Sequence, residues 1–185
     1  MAEQPNIVWV TLDSVRSDHT TMDGYERSTT PRLAEIASEG LSFPNCFSPG
    51  TGTPFASASI LTGTYPFRHG LKISNDFLPD ELRTVPELLG EVGYTTAGLS
   101  RNSFFGPGTG LDRGFDRFEL LTASRVLGAV PPTVLMRYAL NIRRHSAGFT
   151  TDTSKHATPF LMNEIAKRWI TDLSDSEPFF IYLHY

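Results

Sequence analysis

The residues from Ile7 to Leu12 form a near-continuous run of β-favouring side chains. Such a run is typical of a strand buried on both faces of a parallel sheet, because helices then cover each face. Further strand patterns at 41–47, 94–100 and 177–185 alternate with helical patterns at 30–40, 53–62, 84–93 and 159–173. This alternation predicts an α/β fold with a mostly parallel central sheet flanked by helices, and residues 1–185 form the N-terminal part of a single domain.

Three segments carry more specific expectations. Pro44 suggests that the strand at 41–47 lies at an edge or carries a bulge, and the apolar residues around Cys46 predict a buried thiol. From 120 to 158 the pattern weakens, with two helices broken at Pro131-Pro132 and a solvated basic cluster at 143–145. The strand at 177–185 is too apolar for an exposed edge, so we expect the fold to be incomplete at its C-terminus and this chain alone to be inactive and marginally stable.

Composition narrows the functional classes. With 39% hydrophobic and 19% charged residues, 185 residues suffice for a real core. The net charge is -4 and no basic run is present, so nucleic acid is not an expected partner. A single cysteine excludes an internal disulfide framework and a multi-cysteine metal site. The N-terminus has no signal-peptide pattern and no stretch is apolar enough to span a bilayer, which predicts a cytoplasmic protein; the sequence leaves the oligomeric state open.

The segment Gly50-Thr51-Gly52-Thr53-Pro54 presents a hydroxyl at the start of a helix. Two glycines allow the loop to approach a ligand closely, and proline suits the first helical turn. A helix N-terminus favours a tetrahedral anion such as sulfate or phosphate. These residues alone allow two roles for Thr53, an ordinary N-cap or a nucleophile.

Other chemically active side chains follow predicted strands. Asp13 comes at the end of the first strand, where open α/β sheets bind ligands. Arg16 lies a few residues later in the same loop, a mixture that suits a divalent cation and an anionic substrate, although Asp18 and His19 are more typical of a solvated loop. Arg101 and Asn102 follow the strand at 94–100, and a turn-rich segment carries Arg68 and His69, which could face the same anion or the solvent. The glycine-rich loop at 106–114 lacks the pattern of a nucleotide-binding P-loop.

Five ordered motifs resemble the sulfatase family of the alkaline phosphatase superfamily. They are Pro5-Asn6-Ile7-Val8 through Asp18-His19, Thr30-Pro31-Arg32-Leu33 through Gly40, Leu61-Thr62-Gly63-Thr64-Tyr65-Pro66 through Gly70, Gly93-Tyr94-Thr95-Thr96-Ala97, and the final Pro178-Phe179-Phe180 through Tyr185. The resemblance runs nearly from end to end. It implies a metal-dependent hydrolase of sulfate esters that acts on a small anionic substrate.

The resemblance also implies roles for single residues. Thr53 stands where family members carry the residue that becomes formylglycine; since threonine cannot become that aldehyde, no formylglycine is expected and Thr53 itself is the implied nucleophile. Arg101 stands where typical members have an active-site lysine. The full set of implied roles is Thr53, Arg101 and His69 as catalytic residues, Arg16, Asn102 and Arg68 as substrate-binding residues, and Asp13, Ser14 and Thr53 as metal ligands.

The departures from the family pattern leave alternatives open. Phe55 and Ser57 replace the proline and arginine of the family's CxPxR motif, and Ser14 replaces the second aspartate of the usual metal-binding pair. Calcium is the implied metal of a sulfatase, and manganese or zinc that of a phosphoesterase. The same residues would suit a phosphoesterase, a phosphoryl or phosphoglycerol transferase, or an inactive anion-binding fragment.

Overall fold

The computed structural model describes residues 4–72, 76–121, 131–140, 158–173 and 178–185. Within these ranges the strands are β1 (Ile7–Thr11), β2 (Thr95–Ser100), β3 (Arg117–Leu120) and β4 (Phe179–His184). They form one parallel sheet in the order β1-β4-β2-β3. The predicted α/β fold with a parallel sheet is therefore confirmed.

Helices lie in the connections from β1 to β2 and from β3 to β4. In the described ranges they are α1 (Pro31–Glu39), α2 (Thr53–Thr62), α3 (Pro66–His69), α4 (Val85–Glu91), α5 (Pro132–Leu140) and α6 (Thr158–Leu173), with short 3-10 turns at Ser17–His19 and Thr21–Asp23. Thr84 and Glu87 form a reciprocal capping box at the start of α4, which satisfies two backbone donors there. None of the described helices is long and apolar enough to cross a membrane.

Alternate side chains of β4 enter two separate cores. Ile181 and Leu183 pack in a core whose other members include residues of α5 and α6. Phe180 and Tyr182 pack in a second core with residues of α2 and with the buried ring of Phe105. Each of these side chains contributes roughly 1.5–3 kcal/mol when it leaves water. The two-sided burial explains why β4 is almost continuously apolar.

The first strand differs from its prediction. β1 was expected to be buried on both faces, but Val8, Trp9 and Val10 are 49%, 39% and 48% exposed. Within the described residues β1 pairs only with β4, so it forms an edge of the sheet. The last strand was expected to be too apolar for an exposed edge, and this is confirmed, because β1 and β2 pair with its two edges.

The strand predicted at 41–47 is not formed, and those residues make a turn and irregular loop. Leu41, Phe43 and Phe47 are 85%, 72% and 84% exposed, and Cys46 is exposed as well. The predicted buried thiol is therefore wrong. The sequence pattern was apolar enough for a strand, but Pro44 removes a backbone donor and no described strand pairs with this segment.

Strand β3 was missed by the sequence analysis because it has only four residues, two of them charged, and so lacks a clear apolar pattern. It pairs with β2 over the register Ala97 to Arg117 through Ser100 to Leu120. In the weakly patterned region after 120, the structure describes α5, which begins at Pro132 as the predicted break requires. The basic cluster at 143–145 lies outside the described residues.

Candidate active site

The backbone holds Asp13 at the carboxyl edge of the sheet. Beyond the end of β1, the Tyr185 N–H donates to the Thr11 carbonyl at 2.9 Å and the Asp13 N–H donates to the Tyr185 carbonyl at 3.0 Å. Ser14 then adopts a left-handed conformation with φ 59°, which costs a non-glycine residue on the order of 1 kcal/mol or more. Its hydroxyl donates to Asp13 Oδ1 at 3.2 Å. Asp13 is thus held by hydrogen bonds between the ends of β1 and β4 and by a strained turn at Ser14.

Thr53 reaches Asp13 from a loop that is far away in sequence. A Cβ at Gly50 or Gly52 would lie 2.8 Å from the side chain of Phe55, so the loop can pack on this ring only with glycine at both positions. Gly52 is the N-cap residue of α2, and Thr53 is its first helical residue. The Thr53 hydroxyl donates to Asp13 Oδ2 at 2.9 Å. The structure therefore places Thr53 beside Asp13, as two implied ligands of one metal would have to be, although the segment before Thr53 is not the expected strand.

Asn102 joins this pair from the loop after β2. Its Nδ2 donates to Asp13 Oδ2 at 3.1 Å and to Thr53 Oγ1 at 3.0 Å. The three side chains, which we call the Asp13–Thr53–Asn102 cluster, therefore form a nearly equilateral triangle of hydrogen bonds. The sequence predicts that Asn102 binds substrate, whereas in the structure its amide nitrogen donates to Asp13 and Thr53 within the cluster.

The sequence analysis missed His184. It is the last residue of β4 and is 2% exposed. Its Nε2 lies 3.7 Å from Asp13 Oδ2, too far for a hydrogen bond, and neither ring nitrogen has a hydrogen-bond partner among the described residues. The signal was available, because His184 ends a strand in the same way as the strand-end residues that were selected.

Burial and hydrogen bonding act in opposite directions on the charges of this site. Partial burial raises the pKa of Asp13, but hydrogen bonds from Thr53, Ser14 and Asn102 and the nearby imidazole of His184 outweigh it, so this pKa lies below its usual value. Burial lowers the pKa of His184, and the adjacent carboxylate of Asp13 offsets only part of this effect. At neutral pH the site therefore holds an ionised Asp13 beside a neutral imidazole.

An open cleft of about 380 Å³ lies against the cluster. Its walls are formed by Asp13, Ser14, Arg101, Asn102, Ser103 and Tyr185. Arg101 lines the same cleft as Asp13 and supplies a cationic side chain there, and Thr53 reaches the lining residues Asp13 and Asn102 through hydrogen bonds.

Three other predicted site residues lie elsewhere or make other contacts. Arg16 is exposed and pairs with Asp18 at 2.7 Å. Arg68 is exposed on α3. His69 is 1% exposed; its Nε2 lies 3.1 Å from the Ser59 hydroxyl and its Nδ1 accepts the Leu71 N–H at 3.2 Å. Within the described residues, no hydrogen bond or ion pair of the structure connects any of the three to the cluster.

The cluster meets only part of the requirements of a divalent cation. The carboxylate of Asp13 and the hydroxyls of Ser14 and Thr53 are hard oxygen donors of the kind that calcium prefers. Calcium usually takes roughly six to eight oxygens, however, and the described residues contain no group of three or more acidic, histidine or cysteine side chains that could hold a metal. In addition, the Asn102 amide directs N–H donors at the same oxygens. The described residues therefore form a hydrogen-bonded cluster that offers a cation three side chains with oxygen donors, Asp13, Ser14 and Thr53.

The sheet is open and parallel, and an acid, a hydroxyl and a cleft lie at the carboxyl ends of its strands. This is the edge at which α/β proteins bind ligands or substrates. The family model of sulfatases matches residues 5–185, and the chain belongs to the sulfatase family. Its curated homologues are hydrolases that act on sulfate ester bonds, and the family is generally metal-dependent.

Similar curated proteins are named sulfatases. The N-acetylglucosamine-6-O-sulfatase of Bacteroides thetaiotaomicron is 28% identical over 130 residues, which are 68% of this chain and 22% of that protein. Human arylsulfatase A is 34% identical over 102 residues, which are 52% of this chain and 20% of that protein. The chain therefore spans about a fifth of the length of these relatives.

Solved structures show the same fold. The structure of BT4656 in complex with its substrate D-glucosamine-2-N,6-O-disulfate matches 98% of this chain and 34% of its own, with a TM-score of 0.68 and 22% identity. The phosphonate monoester hydrolase of Agrobacterium radiobacter matches 98% of this chain and 40% of its own, with a TM-score of 0.71 and 17% identity. Identities this low establish only that the fold is shared.

Proposed function

We propose that this protein hydrolyses sulfate esters and uses the hydroxyl of Thr53 as the nucleophile. The observation that carries the proposal is the 2.9 Å hydrogen bond from Thr53 Oγ1 to Asp13 Oδ2 beside the cleft. Asp13 is held in the ionised form that can accept a proton, which is the arrangement of an alcohol nucleophile and its base. Membership of the sulfatase family supports sulfate as the anionic group.

In the proposed reaction, Thr53 Oγ1 attacks the sulfur of R–O–SO₃⁻ and the bond between sulfur and the alkoxide oxygen breaks. The Thr53 proton passes to Asp13 and from there to the departing alkoxide, so an alcohol leaves and a sulfate ester of Thr53 remains. Water then attacks the sulfur of this ester, Thr53 regains its proton, and hydrogen sulfate leaves. Arg101 in the cleft wall would stabilise the negative charge of the sulfate oxygens, and His184 supplies a neutral ring beside Asp13.

The family resemblance adds a divalent cation, calcium for a sulfatase, with Asp13, Ser14 and Thr53 among its ligands. Such a cation would neutralise charge on the transferring group and lower the pKa of a bound hydroxyl. Its remaining ligands would have to come from outside the described residues. We expect no formylglycine, because the methyl group on Cβ prevents oxidation of Thr53 to an aldehyde.

Phosphate esters are the second candidate substrate class, because an alcohol nucleophile serves phosphorus as well as sulfur and a phosphonate monoester hydrolase shares the fold. A phosphoryl or phosphoglycerol transferase would use the same Thr53 and replace water by another alcohol in the second step. Manganese or zinc would be the metal expected for this class.

The test compares p-nitrophenyl sulfate with p-nitrophenyl phosphate in a complete version of this protein, with calcium, manganese or zinc supplied, because residues 1–185 alone are expected to be inactive. Thr53→Ala should lower kcat by on the order of 10³-fold or more, and Thr53→Ser should retain part of the activity because it keeps the alcohol. Cys46→Ala is the matched control and should be as active as the wild type. Full activity of Thr53→Ala would contradict the mechanism, and an inactive but folded Cys46→Ala would revive a formylglycine mechanism.

A further inference from the structure

The backbone around Asn102 forms a closed turn. The Asn102 N–H donates to the hydroxyl oxygen of Ser100 at 3.0 Å, and the same hydroxyl donates to the Asn102 carbonyl at 3.2 Å. Ser100 is fully buried at the end of β2. The main chain of Asn102 is therefore tied to a rigid element rather than to a free loop.

The side-chain amide of Asn102 has one orientation that satisfies all of its contacts. Its Oδ1 accepts the Phe104 N–H at 3.0 Å, so its NH₂ group faces the opposite side, where it donates to Asp13 and Thr53. A flipped amide would place a carbonyl oxygen against the Asp13 carboxylate and an NH₂ group against a backbone N–H. Both contacts would be repulsive, which assigns the orientation from the hydrogen-bond network.

These contacts determine the direction of the Thr53 hydroxyl. Its proton points to Asp13 Oδ2 at 2.9 Å, and one of its two lone pairs accepts from Asn102 Nδ2 at 3.0 Å. A hydroxyl oxygen has two lone pairs, so one remains for attack on a substrate, and transfer of the proton to Asp13 leaves a third pair that a cation would take. Without the amide donor, Thr53 could turn about its Cα–Cβ bond and direct either lone pair, or its proton, away from the attacking line.

We propose that Asn102 is a positioning residue that holds the nucleophile of this protein, rather than a residue that binds substrate. Its NH₂ group keeps Thr53 in one side-chain rotamer, with the hydroxyl proton on Asp13 and one lone pair available for attack. The proposal rests on the proposed function of Thr53. In this proposal, the closed turn at 100–104 orients the Asn102 amide toward Asp13 and Thr53.

The decisive variant is Asn102→Asp, which keeps the oxygen that accepts the Phe104 N–H but removes the NH₂ donor. Asn102→Ala removes both. Asn6→Asp is the matched control, because Asn6 Oδ1 likewise accepts a backbone N–H, that of Phe179 at 3.1 Å, but precedes β1 at the other end of the strand. Each protein is compared by kcat, by KM and by a crystal structure that gives the Thr53 rotamer.

We expect Asn102→Asp to lower kcat by about 10- to 100-fold with little change in KM, and to show Thr53 in a second rotamer. Asn102→Ala should also lower kcat, and Asn6→Asp should change neither kcat nor the rotamer. An increase in KM at constant kcat would overturn the proposal in favour of substrate binding. An unchanged rotamer and unchanged kcat in Asn102→Asp would overturn it as well.

The rotamer measurement separates this proposal from the proposed function. If the wild type hydrolyses neither ester but Asn102→Asp releases Thr53 from its rotamer, the positioning role stands and the function fails. If the wild type is active and Thr53 keeps its rotamer and its rate in the variant, the function stands and the positioning role fails.

Discussion

Strands β1 and β4 are neighbours with similar apolar sequences, yet their environments are opposite. All six residues of β4 are buried, whereas the three central residues of β1 are 39–49% exposed. The apolar residues Leu41, Phe43 and Phe47, in the loop before α2, are exposed as well. The comparison shows that an apolar run predicts a strand but does not by itself determine its burial. Burial depends on which elements pack against the strand.

The largest effect is expected from a test that compares two residues paired with each other across β1 and β4. Leu183 of β4 is paired with Val10 of β1, but their exposures are 5% and 48%. Leu183→Ala should lower the free energy of unfolding by about 2–5 kcal/mol, because it leaves a cavity in the core. Val10→Ala should cost less than about 1 kcal/mol. Urea unfolding measures both, and equal losses would mean that β1 is covered as fully as β4.

The second test concerns His69, a buried polar residue that is 1% exposed. Burial lowers the pKa of His69 below its usual value of 6.5, and a hydrogen bond with the Phe55 backbone opposes this only partly. As the pH falls below about 6.5, the unfolded chain takes up a proton that the folded protein does not, so the free energy of unfolding should decrease. The decrease should level off once the pH is below the folded pKa.

His69→Gln removes this titration and should make the decrease shallower, although His184 contributes in the same direction. The measurement is urea unfolding between pH 7.5 and pH 5. Identical slopes in the variant and the wild type would contradict the buried, neutral state of His69.

The third and smallest effect is expected at an exposed residue of the loop before α2. Cys46→Ala should change the free energy of unfolding by less than about 0.5 kcal/mol, because Cys46 is exposed. For the same reason, Cys46 in the native protein should react with a thiol reagent as fast as in urea. A protected Cys46 would show that the segment 41–47 is buried in the native protein. The contrast between this exposed segment and the buried strand β4 would then be lost.

The sequence predicted the elements whose signals are local. Capping residues and proline located α2 and α4, and strand-end placement identified Asp13, whereas Thr53 was selected as a hydroxyl at the start of a predicted helix. It did not predict that β4 lies between β1 and β2, because strand order depends on contacts between residues more than 80 positions apart. His184 was missed although it ends a strand, and His69 was grouped with Arg68 because adjacent residues of a short helix cannot be assigned to core or surface by pattern alone.

The Asp13–Thr53–Asn102 cluster unites residues that are separated by 40, 49 and 89 positions. Such contacts require the closure of long loops, so we expect the triangle to form late in folding. Its weakest support is the strand that carries Asp13, since β1 has one described neighbour and its backbone groups on the other edge face no described strand. Local fraying of β1 would withdraw Asp13 while Thr53 and Asn102 stay on the intact core. Amide hydrogen exchange should therefore be faster in β1 than in β2 or β4, and the lifetime of the assembled triangle should follow the opening rate of this edge strand.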